Sequence, residues 1–256
     1  SQHKGHGASW GVSANRRHRD AQATASGGAL HFAPVDLSLT WNPDDTVPVV
    51  VLTTTALACA LFFTLGRART TTPAALFRQR LAGLGLLGVL PLVSALVWLP
   101  GGPAEQGLVL SGAAVGAPAV LALLLLIGPI LYVACRQPMQ QARYPEIRVP
   151  LSRWDRALRL KSAATWAAYL LAYEWLFRGF LLVPLVETWG LWPGMSVMVG
   201  LYVLAHLDKA PSEALSCFPM GVVFGLLSLT TGSIVWPWLL HVGIAVGSET
   251  ACLHHA

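Results

Sequence analysis

Seven long apolar runs dominate the chain, at roughly 47–65, 80–99, 107–134, 162–183, 190–207, 214–231 and 233–252. Each is about 18–28 residues, and about 20 helical residues cross the ~30 Å hydrocarbon core of a bilayer. In lipid every backbone polar group must be satisfied internally, so runs of this length are read as helices. Composition agrees: 54% of residues are hydrophobic and 11% charged, where a soluble domain has about 25% charged. The expected fold is all-α, a polytopic membrane bundle of about seven transmembrane helices over 46–256. A polar tail over 1–45 precedes it, rich in Gly, Ser, Ala, Asn and His. The tail shows no apolar core of a cleavable signal. Its histidines His3, His6 and His18 read as solvated. Pro118 and Pro129 lie in the third run, which is expected to kink, tilt or break. No internal repeat is evident, which argues against a transporter built from inverted halves.

The polar loops alternate in charge. Arg67, Arg69, Arg78 and Arg80 fall between the first two runs. Arg136, Arg143, Arg148, Arg153, Arg156, Arg159 and Lys161 fall between the third and fourth. Only Glu105 and Glu187 occupy the intervening connections. The two basic loops hold 11 of the 17 Lys and Arg residues, so the net charge of +5 follows from topology, not from nucleic-acid binding. The positive-inside rule puts both loops in the cytoplasm, the N-terminus outside and the C-terminus inside. The segment around Trp154, Ala157, Leu158 and Lys161 reads equally as an amphipathic surface helix or as a topology anchor.

Several residue types have structural readings. Cys59, Cys135, Cys217 and Cys252 are widely spaced and form no CxxC pair. They are expected to be small core residues, with no zinc site and no disulfide framework. Trp175, Trp189, Trp192, Trp236 and Trp238 are expected at the membrane interface. Gly179 and the Gly221–Gly225 spacing suggest close helix packing. Gly232 and Ser233 suggest a tight turn before the last run.

The ionisable side chains well inside the apolar runs are Glu174, Arg178, His206 and His241. Such groups are costly in lipid and usually face the bundle interior in pairs. Glu174 and Arg178 are four apart, so they share a helix face and can pair. At 1.5 Å per residue, Glu174 lies about 18 Å from the inner start of its run and His241 about 12 Å from the outer start of its own. In a ~30 Å core these depths nearly coincide; His206 falls nearer the inner edge. A carboxylate beside an imidazole can deprotonate a water, and a second imidazole can support an oxyanion. The same Glu174, His206 and His241 could instead hold a divalent metal.

At these residues the chain resembles the CPBP family, the CAAX-protease and bacteriocin-processing membrane proteins. "YEWLFRGFL" is similar to the family's first motif, two adjacent Glu followed by Arg. "YVLAH", residues 202–206, is similar to the second, and "TTGSIVWPWLLHVGIA" to the third. The likeness defines a core over 140–252. It implies a helical glutamate-dependent intramembrane endopeptidase. In it Glu174 is the second motif Glu, Arg178 the motif Arg, His206 a holder of the catalytic water and His241 a wall of the oxyanion site. Two positions depart from the pattern: the first motif Glu is Tyr173, and the Asn or Asp after the last His is Ala245. Ser248 and Glu249 lie a further turn along and are candidate substitutes. One residue along a helix turns a side chain by about 100°, so Glu174 does not simply occupy the place of the first Glu.

The leading expectation is therefore an endopeptidase of a bacterial inner membrane, acting on a peptide or protein substrate by Glu/His-assisted water attack, without a cofactor. A second reading is an inactive homologue that scaffolds a larger membrane complex. A third is a subunit binding a metal or tetrapyrrole through His206 or His241.

Overall fold

The structure is a computed structural model, and it describes residues 46–207 and 211–255. The tail histidines lie outside the described residues. Seven long helices form a helical membrane bundle: α1 Thr46–Gly66, α2 Pro73–Trp98, α3 Ala113–Ala134, α4 Arg156–Trp189, α5 Leu191–Leu204, α6 Pro211–Thr231 and α7 Val235–His255. Among the described residues α1, α2, α3, α4 and α6 are long and apolar enough to cross a membrane. With 14 residues, α5 is shorter, and the Ser, Glu, Thr and His residues near the end of α7 dilute its apolar character.

Helix starts follow local chemistry. Thr72 caps α2, its side-chain oxygen accepting from the Ala75 N–H, and Pro73 occupies the first turn where its missing donor costs nothing. Asp155 caps α4 by accepting from the Leu158 N–H at 2.8 Å. The second helix thus begins seven residues before the apolar run, and Arg80 lies inside it. The expectation that Arg80 is a loop base is corrected: it is 1% exposed and ion-paired. The third run breaks before its prolines, at Gly107 and Gly112, whose φ of 87° and 64° suit glycine. Pro118 and Pro129 are both carried inside α3.

α4 is the central element. Within its most apolar window 78% of residues are buried, against 11% in α3, which faces outward. Its middle packs against Val51 and Ala58 of α1, Leu87 of α2, and Met195, Met198 and Tyr202 of α5. Immediately after Glu174, residues Trp175–Leu181 widen into π-helical turns, a deviation that is frequent at functional sites.

The two basic loops meet at one end of the bundle. The Arg148 N–H donates to the Thr71 carbonyl at 3.1 Å, and Arg80 reaches Glu146 at 3.2 Å. At the other end Ser111 donates to the Thr231 carbonyl, Ser233 to that of Val109, and Gly232 makes the expected turn with φ 64°. Loops of like charge thus share one end, as the alternation predicts.

Three expectations about neutral residues change. Cys135 and Cys252 form a disulfide with Cα atoms 4.9 Å apart. They are 117 residues apart in sequence, and only the packing of α3 along α7 brings them together. Trp175 and Trp236 are core residues, while Trp192 is exposed. Trp154 is buried with Leu76, Phe77 and Ile147, so this side chain faces the protein, while Leu151, Ser152, Arg153, Asp155 and Arg156 around it are exposed.

Candidate active site

The four ionisable groups converge from three helices. Glu174 and Arg178 come from α4 and His241 from the second turn of α7; His206 follows the last turn of α5. Glu174 Oε1 accepts from His241 Nδ1 at 2.6 Å. Its other oxygen, Oε2, lies 3.2 Å from Arg178 Nε. Both members of that pair are fully buried. The guanidinium sits 4.0 Å from the centroid of the Tyr202 ring and 5.2 Å from that of Phe224, a geometry in which aromatic faces support a cation.

Tyr173 points elsewhere. Its hydroxyl lies 3.2 Å from His206 Nδ1, and that same nitrogen lies 2.8 Å from the Tyr202 carbonyl oxygen. A carbonyl only accepts, so Nδ1 carries the hydrogen in this network and the lone pair of a neutral ring falls on Nε2. The Tyr173 oxygen is then a second acceptor, and its own hydrogen is not needed by His206. By the same reasoning His241 donates from Nδ1 to the carboxylate and presents Nε2 as its basic atom.

Tyr173, His206 and His241 line one cavity of about 210 Å³, with Cys217 and Phe224 from α6 opposite them. A water takes about 30 Å³, so the space suits several waters or one substrate side chain. It reaches Arg67, Gln79, Tyr144 and Glu146 at the basic end of the bundle. Glu174 does not line it. The carboxylate lies behind His241, and the two adjacent motif residues face different neighbours.

Residues 157–246 match the family model described as Type II CAAX prenyl endopeptidase Rce1-like. The match begins in the first turn of α4, ends in the middle of α7, and spans all four ionisable groups. The matched segment is similar to Rce1-like domains, in agreement with the CPBP resemblance of its motifs. At family level that supports an intramembrane endopeptidase. No curated protein and no solved structure matches the chain.

Within the matched segment the other departure from the motif pattern is also resolved in space. Ala245 packs with Trp166 and Leu170 in an apolar cluster. Neither candidate substitute reaches His241. The Ser248 hydroxyl donates to the Ile244 carbonyl. Glu249 accepts from Trp166 Nε1 at 3.3 Å and lies 3.9 Å from Arg80. Buried Arg80 and Glu249 form a second charge cluster with the partly exposed Glu146, and Arg80 also donates to Ser162 and Thr165. Hydropathy alone hides it, because Arg80 sits at the edge of its run. The Thr72–Pro73 start signal is the clue that places Arg80 inside a helix. Among the described residues no group of three or more His, Cys, Asp and Glu side chains is placed to hold a metal ion. The ligand set weighed from sequence needs Glu174, whose two oxygens are engaged by His241 and Arg178.

Proposed function

We propose that the chain is an endopeptidase of a bacterial plasma membrane that hydrolyses a peptide or protein substrate through its histidines. The observation that carries this reading is the 2.6 Å contact of buried Glu174 with the Nδ1 of a histidine that lines the cavity. A carboxylate in that position fixes the imidazole tautomer and stabilises the imidazolium formed when Nε2 takes a proton. His241 is then the general base for water attack, and His206 lines the cavity beside the water. The Tyr173 hydroxyl donates to the oxyanion. Glu174 and Arg178 are positioning residues that act through His241. The scissile bond is hydrolysed by water: the hydroxide adds to the carbonyl carbon, and His241 returns the proton to the leaving amine. Basic loops in the cytoplasm would open the cavity to that side.

Proteolysis of a membrane-anchored peptide panel by the purified protein tests the reading. Removing a general base costs about 10²–10⁴-fold, so His241→Ala is expected to lose at least 10²-fold in kcat. Tyr173→Phe is expected to lose kcat with little change in KM. Glu174→Gln is expected to move the acid limb of the pH profile, with Glu174→Asp partly restoring it. Equal turnover in wild type and His241→Ala would sink the proposal. A second reading, a non-hydrolytic scaffold, is favoured by Tyr173 in place of a carboxylate and by Ala245 in an apolar cluster. It predicts stoichiometric co-purification with membrane partners and full function in His241→Ala cells.

A further inference from the structure

On the outer face of the bundle, away from the His241 cavity, α3 and α7 run side by side in the same direction. Trp236 Nε1 donates to the Ser111 carbonyl at their starts, and Cys135 joins Cys252 at their ends. Between them lies a groove of about 540 Å³, walled by Leu124, Leu131 and Val246. Its floor contains Gly128 and Gly247. A Cβ at either glycine would meet nothing within 4 Å, so packing of α3 on α7 does not require them. Glycine inside a helix costs about 1 kcal/mol relative to alanine, and what these two provide is depth on the outward side.

The groove is apolar along its length, and one arginine, Arg136, stands beside one end, over the Tyr132 ring. That end is the basic end of the bundle. There Tyr132 and His254 form the wall, the His255 ring lies tilted against Tyr132 with centroids 4.6 Å apart, and exposed Arg136 lies 5.6 Å from the Tyr132 ring centroid. We infer that this groove binds an anionic phospholipid, with an acyl chain over Gly128 and Gly247 and the phosphate against Arg136 and the terminal histidines. Basic pockets between transmembrane helices at the cytoplasmic side are suited to such head groups. A hydrophobic helix from another chain would fill the apolar part and leave Arg136 without a counter-charge; an anionic lipid matches both. The site is independent of the peptidase reading, since none of its residues touches the His241 cavity.

Native mass spectrometry of the full-length protein tests it, after equilibration with equimolar phosphatidylglycerol and phosphatidylcholine of identical acyl chains. One basic residue near the head group is worth about fivefold in anionic-lipid affinity. Wild type should therefore retain phosphatidylglycerol over phosphatidylcholine by about fivefold or more. Arg136→Gln should cut that preference about fivefold. Gly247→Leu, whose side chain projects into the groove, should lower retention of both lipids at an unchanged unfolding temperature. Equal retention of the two lipids by wild type, or an unaltered preference in Arg136→Gln, would overturn the inference. So would a dimer, free of phosphatidylglycerol, that Gly247→Leu dissociates, because the groove would then seat a second copy.

Discussion

Replacing Arg178 by methionine should expose how tightly the buried charges depend on each other. Arg178 and Glu174 are both fully buried, 3.2 Å apart, with no water-facing surface. The contact with Glu174 is an ion pair without hydrogen-bond geometry, and all three guanidinium nitrogens are buried. Glu174 is thus the charge that offsets Arg178, assisted by the Tyr202 ring. Breaking a buried pair from one side costs about 3–5 kcal/mol, because the remaining charge stays buried. For a chain of this size each kcal/mol moves the unfolding temperature by about 2–4 °C, so Arg178→Met should lower it by roughly 6–20 °C. Removing both charges has a different sign of outcome, since apolar replacement of a buried pair is often neutral or stabilising. Glu174→Leu with Arg178→Met should therefore melt within a few degrees of wild type while losing any activity that passes through His241. Thermal unfolding in one detergent, followed by tryptophan fluorescence, reads all three proteins. The reasoning fails if Arg178→Met alone melts within about 2 °C of wild type, or if the double variant is as unstable as the single one.

Four further outcomes follow from the local geometry. Arg80→Ala should cost about 3–5 kcal/mol by leaving Glu146 and Glu249 without their cation, with partial recovery in Arg80→Lys; chemical unfolding of the two variants measures it. Reducing the Cys135–Cys252 bridge should cost about 2–4 kcal/mol, the usual range for a disulfide; an unfolding temperature unmoved by reductant or by Cys135→Ser would contradict this. Gly225→Leu should cost about 1–3 kcal/mol by overpacking, since a Cβ there would lie 2.7 Å from Met195 Sδ. Gly200→Ala, which meets open space, should be neutral or gain up to about 1 kcal/mol of helix propensity.

The bundle was legible because hydropathy and charge alternation are statements about solvent, and the bilayer is a strict solvent. Arg148 bonded to Thr71 confirms that the two basic loops share an end. Helix limits were less legible. Arg80 and the arginines near it read as a loop by polarity, whereas Thr72 and Pro73 start a helix there by capping chemistry. Two sets of long-range partners were not legible at all. Nothing local to Cys135 or Cys252 announces a bridge across 117 residues. The cluster of Arg80, Glu146 and Glu249 likewise draws on three separate elements, which must all be in place before it is complete.

The pairing of Glu174 with His241 was approachable from depth counting alone, yet the division of labour between Tyr173 and Glu174 was not. Adjacent residues on a helix differ by about 100° in direction. In α4 that turn separates a residue facing the cavity and His206 from a residue facing Arg178 and the back of His241. A motif written as two neighbouring letters is therefore two sites in space. A carboxylate kept at the second cannot stand in for one lost at the first without unwinding the helix or abandoning Arg178. In the proposed reaction, water attack is accordingly assigned to an imidazole at the cavity wall, with Glu174 acting through it. That is why the pH profile of Glu174→Gln discriminates more sharply than loss of turnover alone.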